Sequence, residues 1–558
     1  MLAHPRQAAY DPGVPLSLLY EALTIPQMLE RSAAVYPDRP AVVFLNRRLT
    51  YSQLYDHVRR LATALKWLGV EPDTRVAIQL PNLPQAVIAY FATLSLGAQA
   101  VMTNPTYVAR EIEHQWNDAD CRVAFVTDFT YERTVRALRG RLPIRHYVVA
   151  SIPDYLRFPL SILAPLKLRR MRPPAIASVP LEPGVHFFTS LVRNTTPDPP
   201  RPEIGLDDLA VLQYTGGTTG AAKGAMLTHR NLSDNAQQIR AWIPDIALGR
   251  DVMLAALPLF HSFGMTVCMN LAVYTGLAMV LIPNPRDTAS VIAGLERGAT
   301  IFPAAPALFN AILNHPRLRP DRLRSIRYCV SGGAPLPVDL LHRFEAATGS
   351  IITEGFGLSE TSPVTHANPL QGTRKAGSVG IPLPDTEARI VDLNDGETDL
   401  PVGQEGELLI RGPQVMQGYW RRPDDTATTL RNGWLHTGDI ARMDEDGYYF
   451  IVGRKKEMII VNGFKVFPDE VDGVLMSHPA VLEAATIGLP DVAHGERVMS
   501  FVVLRPGHTA TVDELLAHCR EALAPYKVPK DFEFRTELPK SAALKVLRRE
   551  LRAEALAS

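Results

Sequence analysis

Residues 214–229 read Tyr-Thr-Gly-Gly-Thr-Thr-Gly-Ala-Ala-Lys-Gly-Ala-Met-Leu-Thr-His. An apolar, strand-like run, Leu209 to Leu212, leads in, and three glycines and three threonines precede Lys223. Glycines let the backbone turn tightly and aim its N–H groups inward, which makes a concave anion site. Threonine hydroxyls add short donors, and the lysine adds a mobile positive charge. Thr215, Gly216, Gly217, Thr218, Thr219, Gly220 and Lys223 are therefore expected to hold a phosphate chain, with a nucleoside triphosphate as substrate. The spacing is not that of a P-loop, because Ala222 precedes Lys223 and Gly224 follows it.

Working outward, strand-like runs alternate with helical spacing. Thr50 to Leu68 has helical periodicity with Thr50 as N-cap; Arg75–Leu80 reads as a strand, and Gln85–Leu96 as a helix ending at Gly97. Strands are expected at 123–126, 210–213, 327–330 and 388–391, with a helix at 337–347. Such alternation predicts an α/β fold of mainly parallel sheets covered by helices. Residues 195–205, rich in proline and polar groups, read as a linker into the phosphate loop. From about residue 400 short strands and turns dominate, and the last hundred residues carry an α+β pattern: helix 468–477, strands 484–488 and 498–504, helix 512–523. This places a domain boundary at Gly453, giving a large domain over 1–452 and a small one over 453–558.

The chain has 558 residues, more than one core usually supports, and equal totals of 58 basic and 58 acidic side chains. Zero formal charge argues against broad capture of nucleic acid. The four cysteines form no Cys-x-x-Cys pair, so neither a zinc site nor a disulfide framework is expected, and a reducing cytoplasm fits. Residues 1–20 lack the apolar core of a signal peptide. Residues 252–283 contain no Asp, Glu, Lys or Arg, yet Pro258, Gly264, Gly276 and Pro283 divide them. A buried β-α-β unit (strand 253–257, helix 263–274, strand 277–282) is expected rather than a membrane span. In residues 152–173, apolar positions alternate with Arg157, Lys167, Arg169, Arg170 and Arg172. Such a segment suits either an ordinary surface helix or peripheral contact with an anionic membrane at its inner face.

Further segments follow in order: Pro258-Leu-Phe-His-Ser-Phe-Gly264, Ser331-Gly-Gly-Ala-Pro-Leu336, Glu354-Gly-Phe-Gly-Leu-Ser-Glu-Thr361, Thr437-Gly-Asp439, Gly453-Arg-Lys-Lys-Glu-Met-Ile-Ile-Val-Asn-Gly-Phe-Lys465 and Pro539-Lys-Ser-Ala-Ala-Leu-Lys545. Together with the phosphate loop they resemble the adenylate-forming superfamily of acyl-CoA synthetases and luciferases. Their wording is closest to bacterial long-chain fatty-acid–CoA ligases, and the resemblance runs from about residue 25 to 555. It implies ATP, Mg²⁺ and CoA as co-substrates and ions, a small distorted barrel in the large domain, and a mobile small domain. A homodimer is compatible with it.

The resemblance implies roles that elementary chemistry supports. A carboxylic acid is ionised at neutral pH and needs no base to attack the α-phosphate of ATP. It needs relief from charge repulsion, supplied by cations and N–H donors on phosphate oxygens. Lys545 and Lys223 are the expected catalytic cations, with Thr215 and Glu360 holding the metal. Asp439 is expected to accept ribose hydroxyls, with Arg454 and the hinge residue Lys456 nearby. Gly333, Glu354, Gly355, Phe356 and Ser359 are expected on the adenine side. His261, Phe263, Gly264, Gly332 and Gly357 are expected to line the acyl pocket. Gly463, Phe464 and Lys465 are expected to meet CoA after the small domain swings.

The chain departs from its relatives at Leu544, where glycine is usual before the catalytic lysine, and Lys465 occupies a variable position. The 257–263 run offers no acid to bind an α-amino group, which disfavours amino-acid substrates. An aryl or medium-chain acid, an acyl-AMP ligase serving a carrier protein, and a nucleotide-regulated lipid-binding protein remain as alternative readings.

Overall fold

The computed structural model describes residues 9–172, 174–215, 222–491, 495–541 and 545–557. Two large sheets carry the first part of the chain. One has seven strands, with Arg75–Gln79 at its centre and parallel neighbours on both sides; only its last strand, Lys223–Thr228, runs antiparallel, against Leu209–Thr215. The other has nine strands. Its central members, among them Val252–Ala255, Ala278–Leu281, Ile301–Ala304, Tyr328–Ser331 and Ile351–Gly357, pair in parallel, and antiparallel strands close both edges.

The helix Pro84–Leu94 shows how the sequence sets this layering. Its run PQAVIAYFATL is apolar on all sides, and every residue in it is buried. A helix without a polar face belongs in an interior. Helix Tyr51–Trp67, by contrast, is amphipathic and starts where Thr50 accepts the N–H of Gln53, as the sequence predicts.

The uncharged run 252–283 forms the expected β-α-β unit, because strands Val252–Ala255 and Ala278–Leu281 are parallel neighbours. Its helix differs from expectation. Gly264–Asn270 is wound as a π-helix before Leu271–Thr275 becomes α-helical. At Gly264 a side chain would meet the Pro258 carbonyl at 2.2 Å, so the tight approach of this turn to the preceding loop requires glycine. Among the described residues no helix is long and apolar enough to cross a membrane.

Strands Glu387–Val391, Gly406–Arg411, Leu430–Arg431, Trp434–Met443 and Tyr449–Arg454 form a third, antiparallel sheet. The expected barrel takes the form of this open five-stranded sheet, whose outer strands do not pair with one another among the described residues. A fourth sheet, built from Ile459–Val461, Phe464–Val466, Val481–Asp491, Gly495–Leu504 and Asp531–Arg535, packs with helices Pro468–Ser477, Val512–Ala522 and Arg548–Ala557 as a smaller α+β domain.

Helix His229–Trp242 ties the second and third sheets together. It is almost entirely buried despite many polar residues. Those residues bond to loops rather than to solvent: Asn231 Nδ2 donates to the Pro413 carbonyl (2.8 Å), Asn235 Nδ2 to Val364 (2.7 Å) and Gln238 Nε2 to Pro384 (2.7 Å). Each buried amide thus has a partner, which is what makes a polar interior helix tolerable.

Candidate active site

The strand ends of the first and second sheets, the third sheet and the small domain meet around one cleft. Thr215 and Lys223 are register partners at the mouth of the antiparallel hairpin. Gly216, Gly217, Thr218, Thr219 and Gly220, between them, lie outside the described residues. Lys223 Nζ forms an ion pair with Asp425 and lies 5.3 Å above the Tyr419 ring. The Tyr419 hydroxyl in turn donates to Glu360 Oε1 (2.7 Å). The phosphate-loop lysine and the predicted metal carboxylate are thereby joined through two residues, Tyr419 and Asp425, that sequence reading missed. Tyr419 lies in the run 412–420 (GPQVMQGYW), whose wording resembles the long-chain ligases but assigns it no role, and Asp425 lies in no such run.

The strand Ile351–Gly357 brings Glu354, Gly355, Phe356 and Gly357 to the cleft, and Ser331 to Gly333 follow the neighbouring strand. Close packing explains two of these glycines: a side chain at Gly357 would meet the Pro363 carbonyl at 1.9 Å, and one at Gly332 would press on the Phe263 ring at 3.0 Å. Glu354 is buried, and its Oε1 accepts the N–H of Leu336 (3.0 Å). Burial pushes its carboxyl up to about 8, so near neutral pH it is a neutral acid able to donate one hydrogen bond. Ser359 shares a 3.3 Å contact with Ser262.

Asp439 faces Arg454 across a strand pair, and Arg454 Nε contacts Asp439 Oδ1 at 2.9 Å. The other oxygen, Oδ2, is buried and has no hydrogen-bond partner. A buried carboxylate oxygen left open is costly unless something completes it, so it marks a place for a donor such as a sugar hydroxyl. Oδ1 is taken by Arg454, which leaves Oδ2 for the ribose hydroxyls expected from the sequence. Burial raises the Asp439 carboxyl, while Arg454 and then Lys545 pull it down.

Lys545 reaches this cluster from the small domain. Its loop is closed by the Ser541 N–H to the Lys545 carbonyl (2.8 Å) and the Leu547 N–H to Pro539 (2.9 Å). Leu544 lies outside the described residues. Burial among protein groups, followed by repulsion from Arg454, lowers the ammonium's pKa. The same ammonium is felt by His261, whose imidazole is held at about 4, chiefly by burial. His261 is therefore neutral, and its Nδ1 accepts the Phe263 N–H at 3.4 Å. Lys456 follows in the connection between the third sheet and the small domain. Gly463, with φ of +81°, turns the hairpin that carries Phe464 and Lys465. Phe464 stacks on Tyr526 of the same domain, 4.7 Å away and more than half exposed. The structure thus presents Lys545 to the cleft while the Gly463–Lys465 hairpin packs within its own domain.

A cavity with about 860 Å³ of empty space, its open mouth included, lies in the large domain, and His261, which feels Lys545, is part of its wall. His261, Phe263, Gly332 and Gly357, expected at the acyl pocket, line this cavity, and so do Gly355 and Phe356, expected on the adenine side. Gly264 does not line it; its role is the close backbone packing described above. Beyond them lie apolar residues that the motifs do not include, among them Trp242, Leu271, Leu370 and Leu383. These have the spacing of ordinary core positions, and their exposure to a tunnel depends on how distant segments meet.

A hairpin with a Gly/Thr-rich turn sequence, an Asp439–Arg454–Lys545 cluster and an apolar cavity share one cleft. The chain belongs to the AMP-binding enzyme family, which it matches over residues 29–420, with the C-terminal domain of AMP-binding enzymes matched over 470–545. It is 41% identical to a long-chain-fatty-acid–CoA ligase of Bacillus subtilis, spanning 98% of this chain and 97% of that one. It is 35% identical to a feruloyl-CoA synthase of an Amycolatopsis species, spanning 94% and 97%. Its fold matches an anthranilate CoA ligase holding anthranoyl-AMP with a TM-score of 0.85 at 30% identity, covering 97% of this chain and 98% of that one. It also matches an ATP-bound enzyme from Rhodopseudomonas palustris with a TM-score of 0.83 at 28% identity, covering 95% and 99%.

Proposed function

We propose that this protein is a long-chain fatty-acid–CoA ligase, which joins a fatty acid to AMP and then passes the acyl group to CoA. The observation that carries the reading is the cavity: a largely apolar space whose wall includes His261, within electrostatic reach of Lys545. Curated relatives of about 40% identity carry the same name over nearly their whole length.

In the first step a fatty carboxylate oxygen attacks the α-phosphorus of ATP. A new O–P bond forms, the bond to the β-phosphate bridging oxygen breaks, and pyrophosphate leaves with the electron pair. Lys545 lies between the acid and the α-phosphate and offsets the repulsion of two anions. Lys223 leaves Asp425 to take up β- and γ-phosphate oxygens, with the Thr215–Gly220 loop supplying N–H donors. Asp439 Oδ2 accepts a ribose hydroxyl, Arg454 holds Asp439 in place, and Gly355 and Phe356 flank the adenine. In the second step the CoA thiol attacks the acyl carbon, AMP leaves, and the thiol proton passes to solvent.

Among the described residues no cluster of three His, Cys, Asp or Glu side chains gathers for a metal. Magnesium does not need one, because it binds through one or two carboxylates plus substrate phosphates. Glu360, with Thr215 beside it, fits that pattern, and the ion would neutralise phosphate charge.

We take Gly453 as the start of the small domain, which swings about Lys456 between steps and brings Gly463, Phe464 and Lys465 to CoA. The protein works in the cytoplasm with peripheral contact to the inner membrane face. Helix Leu160–Arg170 supports that contact: it buries none of its residues, exposes Ile162, Leu163 and Leu166, and ends in Lys167, Arg169 and Arg170. A panel of acids from acetate to oleate, with benzoates, tests the substrate class. Thioester formation should rise toward long chains; preference for benzoates would replace this reading with an aryl-acid ligase.

A further inference from the structure

The deep end of the tunnel is backed by a segment that no motif includes. Tyr10 packs edge-on against Trp242, a tunnel wall, with ring centroids 5.1 Å apart. Its hydroxyl donates to the Pro382 carbonyl (2.7 Å), one residue before Leu383, a second wall. Asp11 is buried, and its carboxylate accepts the N–H groups of Leu370 (2.7 Å), Gln371 (3.0 Å) and Gly372. Leu370 is a third wall. Two consecutive residues therefore pin three wall elements that are distant in sequence: the end of helix His229–Trp242, the 370–372 turn and the strand at Ile381–Pro382.

We infer that Tyr10 and Asp11 form the strap that sets the depth of the acyl tunnel, and so the longest chain it admits. Both are positioning residues, since they act through Trp242, Leu370 and Leu383 rather than on the acid. Three N–H groups on one carboxylate form a charge-assisted set, and its loss leaves three donors unpaired, so the turn has to move. Loss of the Tyr10 ring removes the backing of Trp242. Either change deepens the tunnel end, and each further methylene admitted is worth about fourfold in binding. The inference rests on the cavity being the acyl site, as proposed above.

The test measures binding first, by displacement of a fluorescent fatty acid with unlabelled acids of increasing length, in the full-length wild type, Tyr10→Ala and Asp11→Asn. It then measures acyl-CoA formation from the same acids. The expected result is a longer cut-off in the variants, with acids two to four carbons beyond the wild-type limit gaining roughly fourfold or more over shorter ones. A uniform loss at every length, or an unchanged cut-off, overturns the inference. Tyr10→Phe, which keeps the ring and loses one hydrogen bond, supplies a well-folded control: it should retain the wild-type cut-off, and a shift as large as that of Tyr10→Ala would count against the ring's role. Because the primary readout needs no turnover, a shifted binding cut-off without thioester formation would defeat the ligase reading and leave this one standing.

Discussion

In the proposed mechanism Lys545 acts as a charge, and its surroundings make that charge expensive. Its pKa is lowered by burial and by Arg454, so the ammonium is lost at a lower pH than that of a free lysine, about 10.4. The cation is the active form: adenylation is supported below the folded-state pKa and falls as pH rises through it. Lys545→Ala should cut acyl-AMP formation by about 10²–10³-fold, the usual cost of losing one transition-state donor, and spare thioester formation from supplied acyl-AMP. Lys545→Arg should retain some adenylation and lose the alkaline limb of the profile. Equal damage to both half-reactions would show that the lysine is not specific to the first.

Glu354 presents the opposite sign. Its folded pKa of about 8 lies above the ordinary value near 4.5. The stability it contributes is fully present below the unfolded pKa and is lost as pH rises from about 4.5 to about 8. Glu354→Gln keeps the neutral shape at every pH. The variant's melting temperature should therefore gain on the wild type across that window and hold a constant lead above it. A pH-independent difference between the two would contradict a buried neutral carboxyl.

At the scale of elements, periodicity exposed most of the layers. The helix over 51–67, the strands around 75–79 and 123–127 and the uncharged β-α-β unit all follow from apolar spacing and caps. The π-wound Gly264–Asn270 was not legible, because its apolar sequence suits either winding and only packing against the Pro258 loop decides. The motif residues were legible because phosphate and ribose chemistry restricts residue type. Asp425, Trp242, Tyr10 and Asp11 were not, because each has an ordinary neighbourhood and acquires its contact only when distant segments meet; Tyr419 lies in a recognisable run, GPQVMQGYW, yet its bond to Glu360 exists only in the fold.

Helix Leu160–Arg170 illustrates a middle case. Its basic amphipathic sequence was plain, and Pro159 and Pro165 disfavour a long helix; the helix that forms is short, with Pro165 inside it. Proline is tolerated here because the helix is short and exposed, and water can satisfy the freed carbonyl. Replacing Arg169, Arg170 and Arg172 by neutral residues should weaken binding to anionic vesicles, read by sedimentation, by roughly a hundredfold, at about 1 kcal/mol for each of the three basic groups. Activity on soluble short-chain acids should stay unchanged. Vesicle binding that ignores these charges would assign the helix to an ordinary surface.

For the molecule as a whole, the proposed mechanism makes incompatible demands on one small domain in its two half-reactions. Lys545 and the Gly463–Lys465 hairpin belong to the same body, which Arg548 braces through Glu457, Asp469 and Asp472. Such a multiply paired cation resists local rearrangement, since breaking a buried pair typically costs about 3–5 kcal/mol. Moving the hairpin toward the cleft therefore means turning the whole domain rather than bending its loops. The connection available for that turn is short: Arg454 ends a strand of the third sheet, and Ile459 begins one of the small domain. Lys455 is anchored on the large-domain side, its N–H to the Gly438 carbonyl (2.9 Å) and its Nζ to Glu407 (3.2 Å). Lys456, the proposed pivot, is the next backbone position along this connection. Proline there pins φ near −65° and restricts Lys455 as well. Lys456→Pro should hold the arrangement seen here, with Lys545 in the cleft. Pyrophosphate release in the absence of CoA should stay within about threefold of wild type, while acyl transfer to CoA falls by at least tenfold, as expected when a gating motion is blocked. A variant that transfers the acyl group at the wild-type rate would place the pivot elsewhere in the 453–458 connection.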